Sequence, residues 1–179
     1  MSTAFYVAQG ISVLTALTAM VMMQFKSMKK ILAGQIITNL LTASTYFLLG
    51  GFSGAGICFV AIIQSVVMFL YDRKGKKPPF WVLGVFIALY LTCSAMYFSS
   101  FMDIVSALAA VCFAVSIAQQ KASASRAWYV MNPLLWMIYD LYTRAYANFL
   151  MHLVIFISTV TAMIRLDLRK KTDHENKNA

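Results

Sequence analysis

Asp140, Arg144 and His152 are the ionisable side chains that stand inside apolar stretches of this chain. A charge in hydrocarbon is costly enough that such residues need either a partner or a job. Asp140 and Arg144 are four positions apart, so on a helix they can pair and offset part of each other's desolvation. The pair reads as a structural ion pair at the outer boundary or as a proton-coupling element. His152 is a candidate proton or solute ligand, because histidine is the side chain that most readily exchanges a proton under physiological conditions, with a buried neutral imidazole as the plain alternative. Uncharged polar residues form two further patterns. Gln35, Asn39, Thr42 and Tyr46 recur at helical spacing and draw a stripe along one face, and Asn132, Trp136, Tyr139 and Thr143 draw a second. Unpaired amides and hydroxyls do not face lipid, so both stripes face protein or a cavity. Aromatic rings stack on sugar-like faces while amides bond hydroxyls, so Asn39, Tyr46, Asn132, Trp136, Tyr139 and His152 are the expected binding residues for a small uncharged polar solute. The competing role for the first stripe is hydrogen bonding between helices, worth about 0.6–2 kcal/mol per contact, and for the second an aromatic-belt anchor at the outer interface, which suits Thr143 better than Trp136. Gln9, Gln24 and Gln64 are expected to make such bonds between helices.

Enzyme chemistry finds little to work with. The sequence has no zinc-protease, serine-hydrolase, phosphate-loop or dithiol motif, and only six acidic residues. Cys58, Cys93 and Cys112 lack metal-ligand spacing and lie in apolar runs, where they read as small buried side chains. No catalytic residue, metal or cofactor is expected, and the chain is not expected to be an enzyme.

The elements that carry these residues follow from composition. Of 179 residues, 61% are hydrophobic and 12% charged, with mean hydropathy +0.74. A soluble domain normally carries about twice that charge. No Lys, Arg, Asp or Glu occurs before Lys26, and none occurs from Ile31 to Tyr71. The second run would be about 60 Å long as one helix, twice the hydrocarbon thickness, so it must reverse at the glycine cluster Gly50–Gly56. Seven spans result, near 5–25, 31–50, 55–71, 80–98, 104–120, 128–143 and 145–164. The first lacks the positive flank of a secretory signal and reads as a span. The net charge of +9 does not imply nucleic acid, because the cations sit in short clusters between apolar runs. With seven alternating spans, every Lys and Arg except Arg144 falls on one side, at Lys26–Lys30, Arg73–Lys77, Lys121/Arg126 and the tail. The positive-inside rule then puts the amino terminus outside and the carboxyl terminus in the cytoplasm.

The expected fold is all-α, a polytopic membrane protein with seven transmembrane helices in a 3+1+3 arrangement. A first triple-helix bundle occupies 1–71, a cytoplasmic loop and linker helix 72–102, a second bundle 103–168, and a polar tail 169–179. One odd linker helix gives the bundles the same orientation, which makes them parallel repeats. Asn39 and Tyr46 recur as Asn132 and Tyr139 with the same spacing; a second alignment instead matches Tyr46-x-x-Leu49-Gly50 to Trp136-x-x-Tyr139-Asp140.

On Trp136-Met137-Ile138-Tyr139-Asp140, with Asn132-Pro133 before it and Arg165-Leu166-Asp167 at the end of the last span, the chain resembles the bacterial inner-membrane YgjV family. That family is itself similar to the PQ-loop and SWEET (MtN3-like) sugar-transporter superfamily. The resemblance implies a central solute pocket lined by Trp136 and Tyr139, with Asp140 where glycine is usual, and by His152 or Asn148 from the seventh span. The Pro-Gln dipeptide is missing, and of three prolines only Pro133 lies within a span, so a proline-hinged rocking motion finds little support. Taken together, the expectation is a multi-pass protein of the bacterial inner membrane that binds or translocates a small polar solute. The alternative is a non-transporting scaffold that recognises a partner. Its surroundings are the lipid bilayer, nucleic acid is not a partner, and self-association into a homo-oligomer is compatible with either reading.

Overall fold

The computed structural model describes residues 3–48, 52–96, 101–142 and 146–168. Among the described residues, eight α-helices lie along the stretches where seven spans are expected: α1 (Thr3–Met22), α2 (Met28–Leu48), α3 (Phe52–Arg73), α4 (Phe80–Met96), α5 (Met102–Ile117), α6 (Ala122–Tyr129), α7 (Met131–Tyr142) and α8 (Tyr146–Met163). A π-turn, Ile164–Leu168, continues α8, and no strand occurs among the described residues. Three helices are long and apolar enough to cross a membrane by length and composition, with windows Phe5–Met22, Gly56–Arg73 and Phe149–Asp167; α4 and α5 are apolar but shorter.

Apolar side chains stand on the outside of the bundle as well as in its core. Large apolar side chains such as Leu14, Val21, Leu40, Phe59, Val85 and Ile157 are exposed around the bundle, whereas Gln35, Gln64, Ser65, Ser116, Ser125, Arg126 and Thr159 are buried. That distribution suits a hydrocarbon solvent, in which leaving an amide outside costs more than leaving a leucine there. Many hydroxyls return to their own helix: Thr15 Oγ1 donates to the Ile11 carbonyl, Ser65 Oγ to Ala61 and Thr159 Oγ1 to Ile155.

Loop chemistry fixes several ends. After α3 the chain adopts φ +64° at Gly75, with the Lys76 N–H bonded to the Tyr71 carbonyl and the Gly75 N–H to Asp72. This is a Schellman cap, and its left-handed residue is glycine because a side chain there would be strained. Pro78 and Pro79 then prevent resumption of the helix. The expected sixth span differs from the fold. Lys121 and Arg126 were assigned to a connecting loop, but residues from Ala122 are already helical, and the span is divided into α6 and α7 at Val130. Pro133 explains the division: it has no N–H to give the Tyr129 carbonyl and tolerates only the first turn of a new helix.

Neighbours are ordered. Helix α2 packs between α1 and α3, and α7 between α5 and α8. The two sets meet at α1 with α8 and at α3 with α5, while α4 lies against α3 and α5 and α6 reaches α2 and α8. Tyr90 of α4 meets Phe113 of α5 edge to face, with centroids 6.4 Å apart. The tightest approach joins α1 to α2, where a β-carbon on Gly34 would stand 2.5 Å from the Met22 β-carbon.

That approach makes Gly34 a test of the packing. Gly34→Ala should cost about 1–3 kcal/mol, as overpacking does, and lower the thermal midpoint in detergent. Met22→Ala should not rescue it, because the colliding β-carbon remains, whereas Met22→Gly should. Equal behaviour of the two double variants would mean that α1 and α2 are not in contact at this level.

Candidate functional site

Three of the expected binding residues come together where α7 meets α8. Trp136 and Tyr139 lie one turn apart on α7, and their rings meet edge to face at 5.5 Å. The His152 imidazole from α8 stacks on the Trp136 indole, with centroids 6.0 Å apart and planes inclined by 12°. All three side chains are half-buried. Asn132, one turn before Trp136, donates from Nδ2 to the Ala109 carbonyl of α5 at 2.9 Å. Its Oδ1 stays available as an acceptor.

Asn39 belongs to a different neighbourhood. It lies on α2 and donates to the Gln35 carbonyl of its own helix at 2.8 Å. Helix α2 reaches the second set through α6. The side chains of Tyr46, Asp140 and Asn148, together with Arg144, lie outside the described residues, and the expected Asp140–Arg144 pair lies outside them too. A groove of about 470 Å³ between α1 and α2 is lined by none of the six expected binding residues.

Polar atoms buried deeper in the bundle divide into spent and unspent. Gln64 of α3 donates from Nε2 to the Ala114 carbonyl of α5 at 3.1 Å, and Ser158 of α8 donates from Oγ to the Met20 carbonyl of α1 at 3.0 Å. These two bonds are the seams between the sets. Gln24 adds to the second seam by donating to Ser158 at 2.9 Å, so Gln24 and Gln64 join helices, as expected of them, whereas Gln9 is exposed. Gln35 Nε2, Gln64 Oε1 and the Tyr90 hydroxyl are buried without a hydrogen-bond partner among the described residues. Such atoms cost roughly 1–3 kcal/mol each unless something fills their valence.

The strongest polar assembly was not singled out from the sequence. Arg126 of α6 is 2% exposed and forms a two-pronged ion pair with Asp167 of the π-turn, in which Nε donates to Oδ2 at 2.9 Å and Nη2 to Oδ1. Its Nη1 donates to the Phe25 carbonyl at 2.7 Å and to the Met23 carbonyl at 3.4 Å. Those carbonyls follow the last turn of α1, where unpaired backbone oxygens and the helix dipole both favour a cation. Arg165 donates to Gln24 Oε1 at 2.8 Å, so the same π-turn is tied twice to the segment after α1. A single π-turn at a helix end is a common mark of a specialised position. Arg126 was counted in sequence only as one of a cationic cluster; its isolation from the lysines and the Asp167 in an otherwise acid-poor chain were the available signals.

Removing one partner of a buried pair leaves an uncompensated charge, at a cost of about 3–5 kcal/mol. Arg126→Ala should therefore lower the thermal midpoint strongly, and Arg126→Lys should restore little, because an ammonium cannot reproduce the fork that reaches a carboxylate and two carbonyls. The combined Arg126→Met and Asp167→Leu chain should recover a large part of the loss. Full retention of stability in Arg126→Ala would show that the assembly does not hold these ends together.

No curated protein and no solved structure matches the chain. The family model Imp-YgjV, described as a bacterial inner membrane protein, matches residues 6–170. The chain, with its lipid-suited exterior, buried amides and apolar helices, belongs to that family.

Proposed function

We propose that this inner-membrane protein binds a small uncharged polar solute between its two sets of three spans and passes it across the membrane. The Trp136–His152 stack, bordered by Tyr139, carries the reading. An aromatic face beside an imidazole and an amide is suited to a compact molecule with hydroxyls on one side and C–H groups on the other. Asn132 Oδ1 supplies an acceptor at the same level. Nearer the cationic end, the unspent Gln35 Nε2 and Gln64 Oε1 offer one donor and one acceptor in the interior. Asn39 and Tyr46 belong to the same proposal on the first set. The solute is sugar-like in the sense that these groups alternate between stacking and hydrogen bonding.

The 3+1+3 organisation belongs to this proposal, and the pattern of neighbours supports it. Exchanging α1, α2 and α3 with α5, α7 and α8 turns the α1–α8 contact into the α5–α3 contact. The seam bonds follow the same exchange. Ser158 follows Gln64 by as many positions as Ala114 follows Met20, and this is one more than the step from Asn39 to Asn132. The orientation is also proposed, with the amino terminus outside and the carboxyl terminus in the cytoplasm, on the positions of the cations.

A scaffold that transports nothing is favoured by one observation: Asn132, Gln64, Gln24 and Ser158 each spend donors on bonds between helices. The two readings part at Trp136. Purified protein should gain thermal stability from a member of a panel of small sugars and polyols, because a ligand of the native state stabilises by mass action. Trp136→Ala and His152→Ala should each weaken that gain at least tenfold in concentration, and uptake into proteoliposomes should fall in parallel. Uptake by Trp136→Ala equal to that of the parent would remove the site, and no stabilisation by any member would favour the scaffold. Reporter fusions at the two termini should report opposite compartments; the same compartment for both would overturn the seven-span count.

A further inference from the structure

We propose that the groove between α1 and α2 holds an acyl chain of an anionic phospholipid whose phosphate rests at Lys30. The groove has a volume of about 470 Å³ and runs from Phe25 and Lys30 to Leu17 and Ile37. At 1.5 Å per residue these stretches rise about 10–12 Å, most of the ~15 Å depth of one leaflet. Its floor is the close contact of Gly34 with Met22, where the missing side chain lets α1 and α2 meet and leaves a trough above the contact. The lining is apolar except for Thr18 and Lys30.

Charge selects the occupant. Lys30 holds its Nζ 5.4 Å above the Phe25 ring, which fixes the ammonium at the mouth rather than out in water. Lys26 and Lys29 are exposed beside it, and α2 begins there with no acidic residue in its first turn, so its dipole adds the same sign. The first acidic residue of the whole chain is Asp72, and it lines a separate small cavity with Lys76. Lys30 thus lines the mouth, Lys26 and Lys29 add positive charge from neighbouring positions, and neither α1 nor α2 carries a carboxylate. A basic recess at the level of the headgroups is the kind of site that retains anionic lipid. A zwitterionic lipid could fill the trough equally well but would gain little at its mouth. The proposal depends only on the Lys30 end lying at the water interface, and it stands or falls separately from the solute reading.

The test uses the full chain in nanodiscs of phosphatidylcholine, with phosphatidylglycerol of the same acyl chains added, and counts lipid retained after detergent extraction. Phosphatidylglycerol should be retained in preference to phosphatidylcholine. Lys30→Gln should weaken that preference about fivefold, the effect of about one cation at a membrane surface, while Lys30→Arg keeps it. Ala33→Trp fills the trough and should abolish retention with Lys30 still present, whereas Leu150→Trp, on an exposed apolar position of α8, should not. Glycerol 3-phosphate should fail to compete, since it lacks the acyl chain. Equal retention of the two lipids, preference unchanged by Lys30→Gln, or competition by glycerol 3-phosphate would each overturn the proposal. Should Ala33→Trp fail to fold, the Lys30 variants and the soluble competitor still decide it.

Discussion

In hydrocarbon there is no water to take over a hydrogen bond that the protein fails to make, and that constraint shapes each level of this structure. It demands helices, because a helix satisfies its backbone internally. It sends serine and threonine hydroxyls back to the carbonyl one turn earlier, as at Thr15, Ser65 and Thr159. It also turns the few side chains that cannot satisfy themselves in this way into the joints of the bundle. Gln64, Asn132 and Ser158 each reach a backbone carbonyl on another helix, and each such bond both repays a desolvation cost and fixes a register. Apolar packing alone fixes register poorly, because lipid tails compete for the same leucines and phenylalanines.

The charged assembly at the cationic end is the extreme case of the same constraint. Arg126 brings five donors into a place where it is almost fully enclosed, and its listeners are a carboxylate from the end of α8 and the carbonyls that follow α1. Three segments far apart in sequence thus share one guanidinium. A lysine would leave part of that demand unmet, and an apolar residue would leave both Asp167 and the end of α1 without a partner. Gln24 belongs to the same joint, accepting from Arg165 while donating to Ser158. The cationic end is therefore held by directional bonds. Farther along α7 and α8, Trp136, Tyr139 and His152 meet through ring contacts, beside the directed bond from Asn132 to α5.

Much of the helical layout was legible because it depends on sums over long windows. Apolar runs of span length, and the glycines and prolines between them, set α1 to α5 and α8 to within a few residues. The division of the sixth span was less visible, since Pro133 announces a break but the helicity of 122–129 depends on packing against α5 and α2. Arg126 was misread for a related reason. Counting cations by loop treats each as solvated, and nothing local distinguishes an arginine that faces lipid headgroups from one that turns inward to a carboxylate 41 positions away. Of the expected binding residues, Trp136, Tyr139 and His152 were brought together, Asn132 was found beside them on a structural bond, and Asn39 was placed on another helix. Residue type and spacing place a side chain on a face, but which faces meet is decided by neighbours that no helical wheel contains.

The enclosed joint at the cationic end bears on how such a bundle could move. A joint made of an enclosed ion pair and several directed bonds opens only if all of them are lost together, so its states are discrete rather than graded. The buried but unspent Gln35 and Gln64 atoms lie in the interior. Their unmet hydrogen bonds are a cost to the packed bundle, and a polar guest that reached them would offset that cost.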